Sequence, residues 1–180
     1  MDTAFLREKL DVRHYRRTNH EVLDKPIIAA YEQVREDPQT QKSHLFHGRY
    51  ENIYPPRDRF PEIEPLLSWI EARCREVLHL EQEELGIAFW FNEMQPGNIT
   101  TLHTHNDSDE LLSGVYYLDV PAESGEIVFH SGSEHVASMP AAGDLYLFSP
   151  SLPHEVRENR SHDVRLSVAF NIGIRSTDDA

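Results

Sequence analysis

A mainly β fold with flanking helices is what this sequence predicts: a double-stranded β-helix, or jelly roll, with N-terminal helices bracing one sheet. Three observations carry that expectation. Short runs rich in β-branched and aromatic residues recur through residues 86–174; Pro and Gly punctuate them at regular intervals; and two stretches before residue 85 show helical hydrophobic spacing. A chain of 180 residues can bury a sizeable core yet is short for two domains, so residues 1–180 read as one domain. Within it, 1–85 read as a helical N-terminal support region, 86–175 as the β-helix core and 176–180 as a tail.

In the N-terminal part, Leu23, Ile27, Tyr31 and Val34 recur at three- and four-residue spacing, with Asp24 placed to cap the helix and Pro26 tolerable in its first turn. From Pro61 to His79, Ile63, Leu66, Leu67, Ile70, Cys74, Val77 and Leu78 trace one stripe, with Asp58 upstream as its cap and Pro65 making the first turn irregular. Ser43 to Arg59 carries Tyr54-Pro55-Pro56 and reads as an extended connection holding one short strand. The β-runs follow: Ile87 to Glu93, Ile99 to His105, Leu112 to Val120, Glu126 to His130, Asp144 to Phe148, His154 to Arg157 and Arg165 to Ile174. Pro96-Gly97, Pro121 with Ser124-Gly125, Pro140 with Gly143, Pro150 and Pro153 separate them.

Composition excludes several classes of function. Acidic residues outnumber Lys and Arg by 31 to 17, and a net charge of −14 repels a phosphate backbone, which argues against nucleic acid as a partner. No run approaches the ~18 apolar residues of a membrane span. The start MDTAFLREKL lacks the apolar segment of a signal peptide, and a single cysteine, Cys74, makes no internal disulfide, so the expected compartment is the cytoplasm. Oligomeric state is open, since Trp69 and the apolar helix stripe serve a core or a dimer interface equally well.

Chemistry concentrates in the second half. His105 and Asp107 stand two apart, so on an extended strand both project from one face, and His154 follows 47 residues after Asp107. Two imidazoles and a carboxylate on one face of an octahedron leave open positions for a cosubstrate and dioxygen. With 11 His and 31 acidic residues a His-x-Asp pair alone means little; the ordered set carries the reading. Arg165 opens the run Arg-Leu-Ser-Val-Ala-Phe, so Arg165 and Ser167 share a face of an otherwise apolar strand. A buried guanidinium must be paired, and its planar fork suits the far carboxylate of a dicarboxylic cosubstrate, with the Ser167 hydroxyl as a further donor. These residues point to a mononuclear non-haem iron oxygenase that consumes 2-oxoglutarate.

From about Trp90 to Ile174 the chain resembles the Fe(II)/2-oxoglutarate dioxygenase superfamily, in particular its prolyl-hydroxylase-like branch. Gln95-Pro96-Gly97-Asn98 looks like the segment preceding the family's His-x-Asp, with Gln95 where a Tyr is common, and Val115-Tyr116-Tyr117-Leu118 looks like the strand after it. Ser113-Gly114, Ser124-Gly125-Glu126-Ile127-Val128-Phe129, Gly143-Asp144 and Pro153-His154 followed by Asn159 extend the likeness. The resemblance implies that His105, Asp107 and His154 hold Fe(II). It further implies that Arg165, Ser167, Tyr117 and Gln95 bind 2-oxoglutarate, and that O2 is consumed with release of succinate and CO2. The implied outcome is hydroxylation of a small molecule, an amino acid or a peptide residue.

A second counting is available. Gly97, His103-x-His105 and Glu110, with Gly143 through His154 and Asn159, also resemble the metal motifs of a cupin. His103, His105, Glu110 and His154 would then bind the metal with no 2-oxo acid. Otherwise His103, on the strand face of His105, faces substrate or supports a ligand. A third reading is a jelly-roll binding module without chemistry. Residues 106–110 and 130–139 are the expected rim loops, the second carrying His135.

Overall fold

The computed structural model describes residues 10–46, 48–105 and 109–175. Its organisation follows from the last strand, β11 (Arg165–Ile174), whose side chains alternate between two environments. Leu166, Val168, Phe170 and Ile172 join a buried cluster with Ile27, Tyr31, Leu66, Leu67, Ile70 and Cys74 of the helices. Arg165, Ser167, Ala169 and Asn171, between them in sequence, line a cavity on the other face.

The chain runs β1 (Arg13–Arg16), α1 (His20–Leu23), α2 (Lys25–Val34), β2 (Gln41–Phe46), β3 (Arg49–Tyr54) and, after two 3-10 turns, α3 (Glu64–Leu78). Eight strands complete it: β4 (Leu85–Met94), β5 (Thr100–His103), β6 (Leu112–Asp119), β7 (Ile127–Ser131), β8 (Glu134–Ser138), β9 (Asp144–Phe148), β10 (His154–Val156) and β11. A seven-stranded sheet has the order β1-β9-β6-β11-β4-β3-β2, and a four-stranded sheet the order β5-β10-β7-β8. From β4 onward the strands alternate between the two sheets except for β7 and β8, which pair within the smaller one, and this is the winding of a double-stranded β-helix. α2 and α3 cover the outer face of the larger sheet; Val115, Tyr117, Tyr146 and Phe148 of that sheet meet Ile127 and Phe129 of the smaller one inside.

The helices form where the hydrophobic spacing places them, but both expected caps are corrected. Asp24 precedes α2 without a side-chain capping bond. Its carboxylate is instead buried between Arg17 Nη1, at 2.9 Å, and the Tyr116 hydroxyl, at 2.7 Å, tying the helix start to β6. Asp58 lies in the 3-10 turn Arg57–Arg59, and α3 starts after Ile63, which has no side chain that can cap. Pro65 sits in the first turn, where its missing N–H costs nothing, and Arg57 pairs with first-turn Glu64 at 2.6 Å. A second buried link joins α2 to β4: the Tyr31 hydroxyl donates to Glu93 Oε1 at 2.7 Å, and Arg35 holds the other oxygen at 3.0 Å.

The segment expected to be helical also supplies three strands of the larger sheet. β1 adds an edge beside β9, and β2 and β3 form a hairpin where one short strand was expected. β3 joins the core sheet through Asn52 opposite Asn92 and Ile53 opposite Phe91. The rim loop expected at 130–139 is largely the β7–β8 hairpin, with His130 opposite His135. Among the described residues no helix is long and apolar enough to cross a membrane.

Candidate active site

His154 opens β10 directly after Pro153 and is 5 % exposed. Strand pairing sets it opposite His103 of β5 on one side and Phe129 of β7 on the other. His105 follows two residues after His103, with its backbone N–H donating to the Pro150 carbonyl at 2.7 Å. One ring nitrogen from each of His103, His105 and His154 lies within 4.8 Å of the others. A carbonyl can only accept, so His154 Nδ1 donates to Leu152 O, at 3.0 Å, and His103 Nδ1 to Thr101 O, at 2.8 Å. In both rings Nδ1 is thus occupied and Nε2 is the nitrogen left for a metal, which is how carbonyl partners orient metal-binding imidazoles. Burial, with His103 and His105 nearby, pushes the His154 pKa down to about 3, which keeps its lone pair available. Three soft-to-borderline nitrogen donors at this spacing fit a first-row transition metal such as Fe(II).

The cluster changes how the expected ligands stand. Asp107 lies outside the described residues. Glu110 is described but does not belong to the imidazole group, and His103 does. The rings of His130 and His135 lie 5.9 Å apart and tilted on the β7–β8 hairpin, and neither belongs to the cluster.

The second half of the site is Arg165. It is 3 % exposed, and Nη1 donates to the Ser124 and Gly125 carbonyls at 3.1 and 2.8 Å while Nε is buried with no partner among the described residues. Its guanidinium carbon lies 5.5 Å from the centre of the Tyr117 ring. No described carboxylate approaches it within 4.0 Å, so a full positive charge is buried on two carbonyl dipoles, and burial lowers its pKa accordingly. That arrangement fits an incoming carboxylate. Ser167 and Tyr117 line the same cavity, both almost wholly buried. Gln95 does not: it follows β4, its carbonyl accepting the Asn98 N–H at 3.0 Å, and stands outside the cavity wall. The β-strand face that carries Arg165 and Ser167 leaves Gln95 beyond the strand end.

The cavity encloses about 610 Å³ and runs from the imidazoles to Arg165. Among the wall residues that the sequence does not single out are Glu51, Asn52 and Tyr54 of β3, and Trp90 and Asn92 of β4. Trp90 and Asn92 alternate with Phe91 and Glu93, a signal the sequence carries; β3 reached the cavity only through pairing that the sequence does not display.

Gly125 shapes the Arg165 seat. Its φ is +93°, and a Cβ there would run into the Arg157 carbonyl oxygen. Gly125→Ala will cost about 3–5 kcal/mol of stability, the range of severe backbone substitutions, and will lower the denaturant midpoint accordingly. A midpoint shift worth less than about 1 kcal/mol would show that the turn adapts.

The β-helix gathers in one cavity three imidazoles that could hold a metal ion and a buried guanidinium that could seat an anion. Residues 89–173 match the model of the 2OG-Fe(II) oxygenase superfamily, an oxidoreductase family that uses Fe(II), 2-oxoglutarate and O2. No curated protein matches the chain. Solved structures share the fold. An oxidoreductase of the 2OG-Fe(II) oxygenase family from Burkholderia pseudomallei is 21% identical with a TM-score of 0.67, over 95% of this chain and 87% of that one. The non-heme alpha ketoglutarate dependent carbocyclase SnoK from nogalamycin biosynthesis is 18% identical with a TM-score of 0.75, over 94% and 81%. A Trichoplax adhaerens prolyl hydroxylase in complex with a hypoxia inducible factor peptide fragment is 13% identical with a TM-score of 0.71, over 96% and 87%.

Proposed function

We propose that this protein hydroxylates a small molecule, an amino acid or a peptide residue, consuming 2-oxoglutarate and O2 and releasing succinate and CO2. The observation that carries the reading is the buried Arg165 guanidinium, lacking any carboxylate partner among the described residues, in the same cavity as the imidazole cluster. When bound, Fe(II) supplies the oxidising chemistry: one oxygen atom of O2 goes to the substrate and the other to succinate.

The ligands we assign to the iron are His103, His105 and His154. His103 stands opposite His154 across the β5–β10 pair, and His105, two residues on, takes the position in which the His-x-Asp pattern carries its carboxylate. On this assignment the metal pair would be His103-x-His105, two residues N-terminal of the expected His105-x-Asp107 pair. Asp107 is the competing third ligand. Arg165 grips the far carboxylate of 2-oxoglutarate, its unused Nε–H and fork geometry supporting a charge-assisted bond, with Ser167 and Tyr117 as neighbouring hydroxyl donors. Ala169 and Val115 contribute apolar surface to the cavity wall. The cupin reading loses Glu110 and leaves a buried guanidinium without a purpose.

The test is succinate formation by protein reconstituted anaerobically with Fe(II) and then given oxygen, with and without pooled metabolites and peptides. Turnover that requires both Fe(II) and 2-oxoglutarate and rises with one pool is the expected result. Metal binding with neither binding nor consumption of 2-oxoglutarate would overturn the proposal.

A further inference from the structure

We propose that Glu51 recognises the primary substrate, and that this substrate carries an ammonium or guanidinium group. The inference rests on the oxygenase reading above. Glu51 lies on β3, lines the cavity and is 8 % exposed. Its one hydrogen bond among the described residues comes from a neutral group, Thr100 Oγ1, at 2.5 Å. No described Lys, Arg or His nitrogen stands within 4.0 Å of it. A carboxylate so placed is expensive: burial raises its pKa, and Thr100 with the more distant His44, Arg165 and His103 offsets only part of that.

Occupation of the cavity by 2-oxoglutarate sharpens the imbalance. The cosubstrate is a dianion and takes up the charge of Arg165, the nearest permanent cation on the cavity wall. Glu51 then faces additional negative charge with a single hydroxyl donor. A buried carboxylate in that setting requires a positive partner, and among the described residues Arg165 is the only Lys or Arg that lines the cavity. The partner must arrive with the substrate.

The rest of the wall suits a cation. Tyr54 and Trp90 line the cavity with ring centroids 6.0 Å apart, and Trp90 lies 5.8 Å from His105, so aromatic surface extends to the edge of the imidazole cluster. Aromatic faces attract ammonium and guanidinium groups. Asn52 and Asn92, linked at 2.5 Å, add neutral hydrogen-bonding capacity and no competing charge. The acidic excess of 31 residues over 17 draws cations toward the protein as a whole.

The experiment compares isosteric probes that differ in charge: lysine with norleucine, arginine with citrulline, agmatine with a carbamoylated analogue, each also within short blocked peptides. Succinate release and calorimetric binding to the anaerobic Fe(II)- and 2-oxoglutarate-loaded protein are read for each pair. At least one cation is expected to bind and stimulate turnover ten-fold or more above its neutral isostere. In Glu51→Gln, which keeps the side-chain size and the capacity to accept from Thr100, that ratio should fall below three-fold, chiefly through KM. Glu51→Asp, which withdraws the carboxylate by one methylene, should give an intermediate ratio and guards against misfolding of the first variant. Three results overturn the inference: no cation preferred while 2-oxoglutarate still binds and is consumed, a preference that persists in Glu51→Gln, or a loss of Fe(II) affinity in Glu51→Gln, which would make Glu51 a partner of the metal. Absence of 2-oxoglutarate binding to the unaltered protein fails the oxygenase reading and takes this inference with it.

Discussion

Replacing Arg165 with Met will raise the KM for 2-oxoglutarate by roughly 30- to several-thousand-fold while Fe(II) still binds. The range follows from the about 2–5 kcal/mol lost when one member of a buried, hydrogen-bonded charge pair is removed, at 1.36 kcal/mol per factor of ten. Met preserves most of the apolar stem that passes Tyr117, so packing changes little, whereas the donors to the Ser124 and Gly125 carbonyls disappear. Lys will not restore the lost affinity, because a compact ammonium cannot serve two carbonyls and a carboxylate in one plane. Calorimetric titration of 2-oxoglutarate into each variant checks both statements. Affinity within three-fold of the unaltered protein would remove Arg165 from the site.

Substituting His154 with Ala will abolish tight Fe(II) binding, and His103→Ala will do the same. The loss should exceed the 10–100-fold that outer partners of a metal typically contribute, because each removes a direct donor from a cluster of three. A simple readout is thermal: Fe(II) at a hundred times its Kd stabilises a binding protein by about 2.7 kcal/mol, and neither variant should show that rise in Tm. Asp107→Ala decides between the two ligand counts. Retention of the metal-dependent rise supports His103-x-His105, whereas its loss in Asp107→Ala with retention in His103→Ala restores the His105-x-Asp107 pair.

The comparison of sequence with structure is instructive at particular residues. The alternation along Arg165–Ile174 was legible because one face meets helices and the other a cavity, so a period of two is written directly in residue type. The stripe Ile63 to Cys74 was legible for the same reason at a period of 3.6. β2 was not: Gln41 to Phe46 mixes Lys, Ser, His and Leu, most of them exposed, at the edge of the sheet where only one neighbour constrains it. The caps failed because Ser, Thr, Asp and Asn mark helix starts only when nothing else competes for the side chain, and Asp24 has Arg17 and Tyr116 within reach.

By itself, then, the sequence determined the winding of the β-helix, the aim of His154 and the inward face of Arg165 and Ser167, all local consequences of strand periodicity. The tertiary structure alone decided which histidine opposes His154, that Glu51 and Tyr54 reach the cavity, and that Glu110 and Gln95 do not. Register and sheet order bring Glu51 and Arg165 to one cavity, and pairing between strands distant in the chain is an energy of the whole fold rather than of any segment.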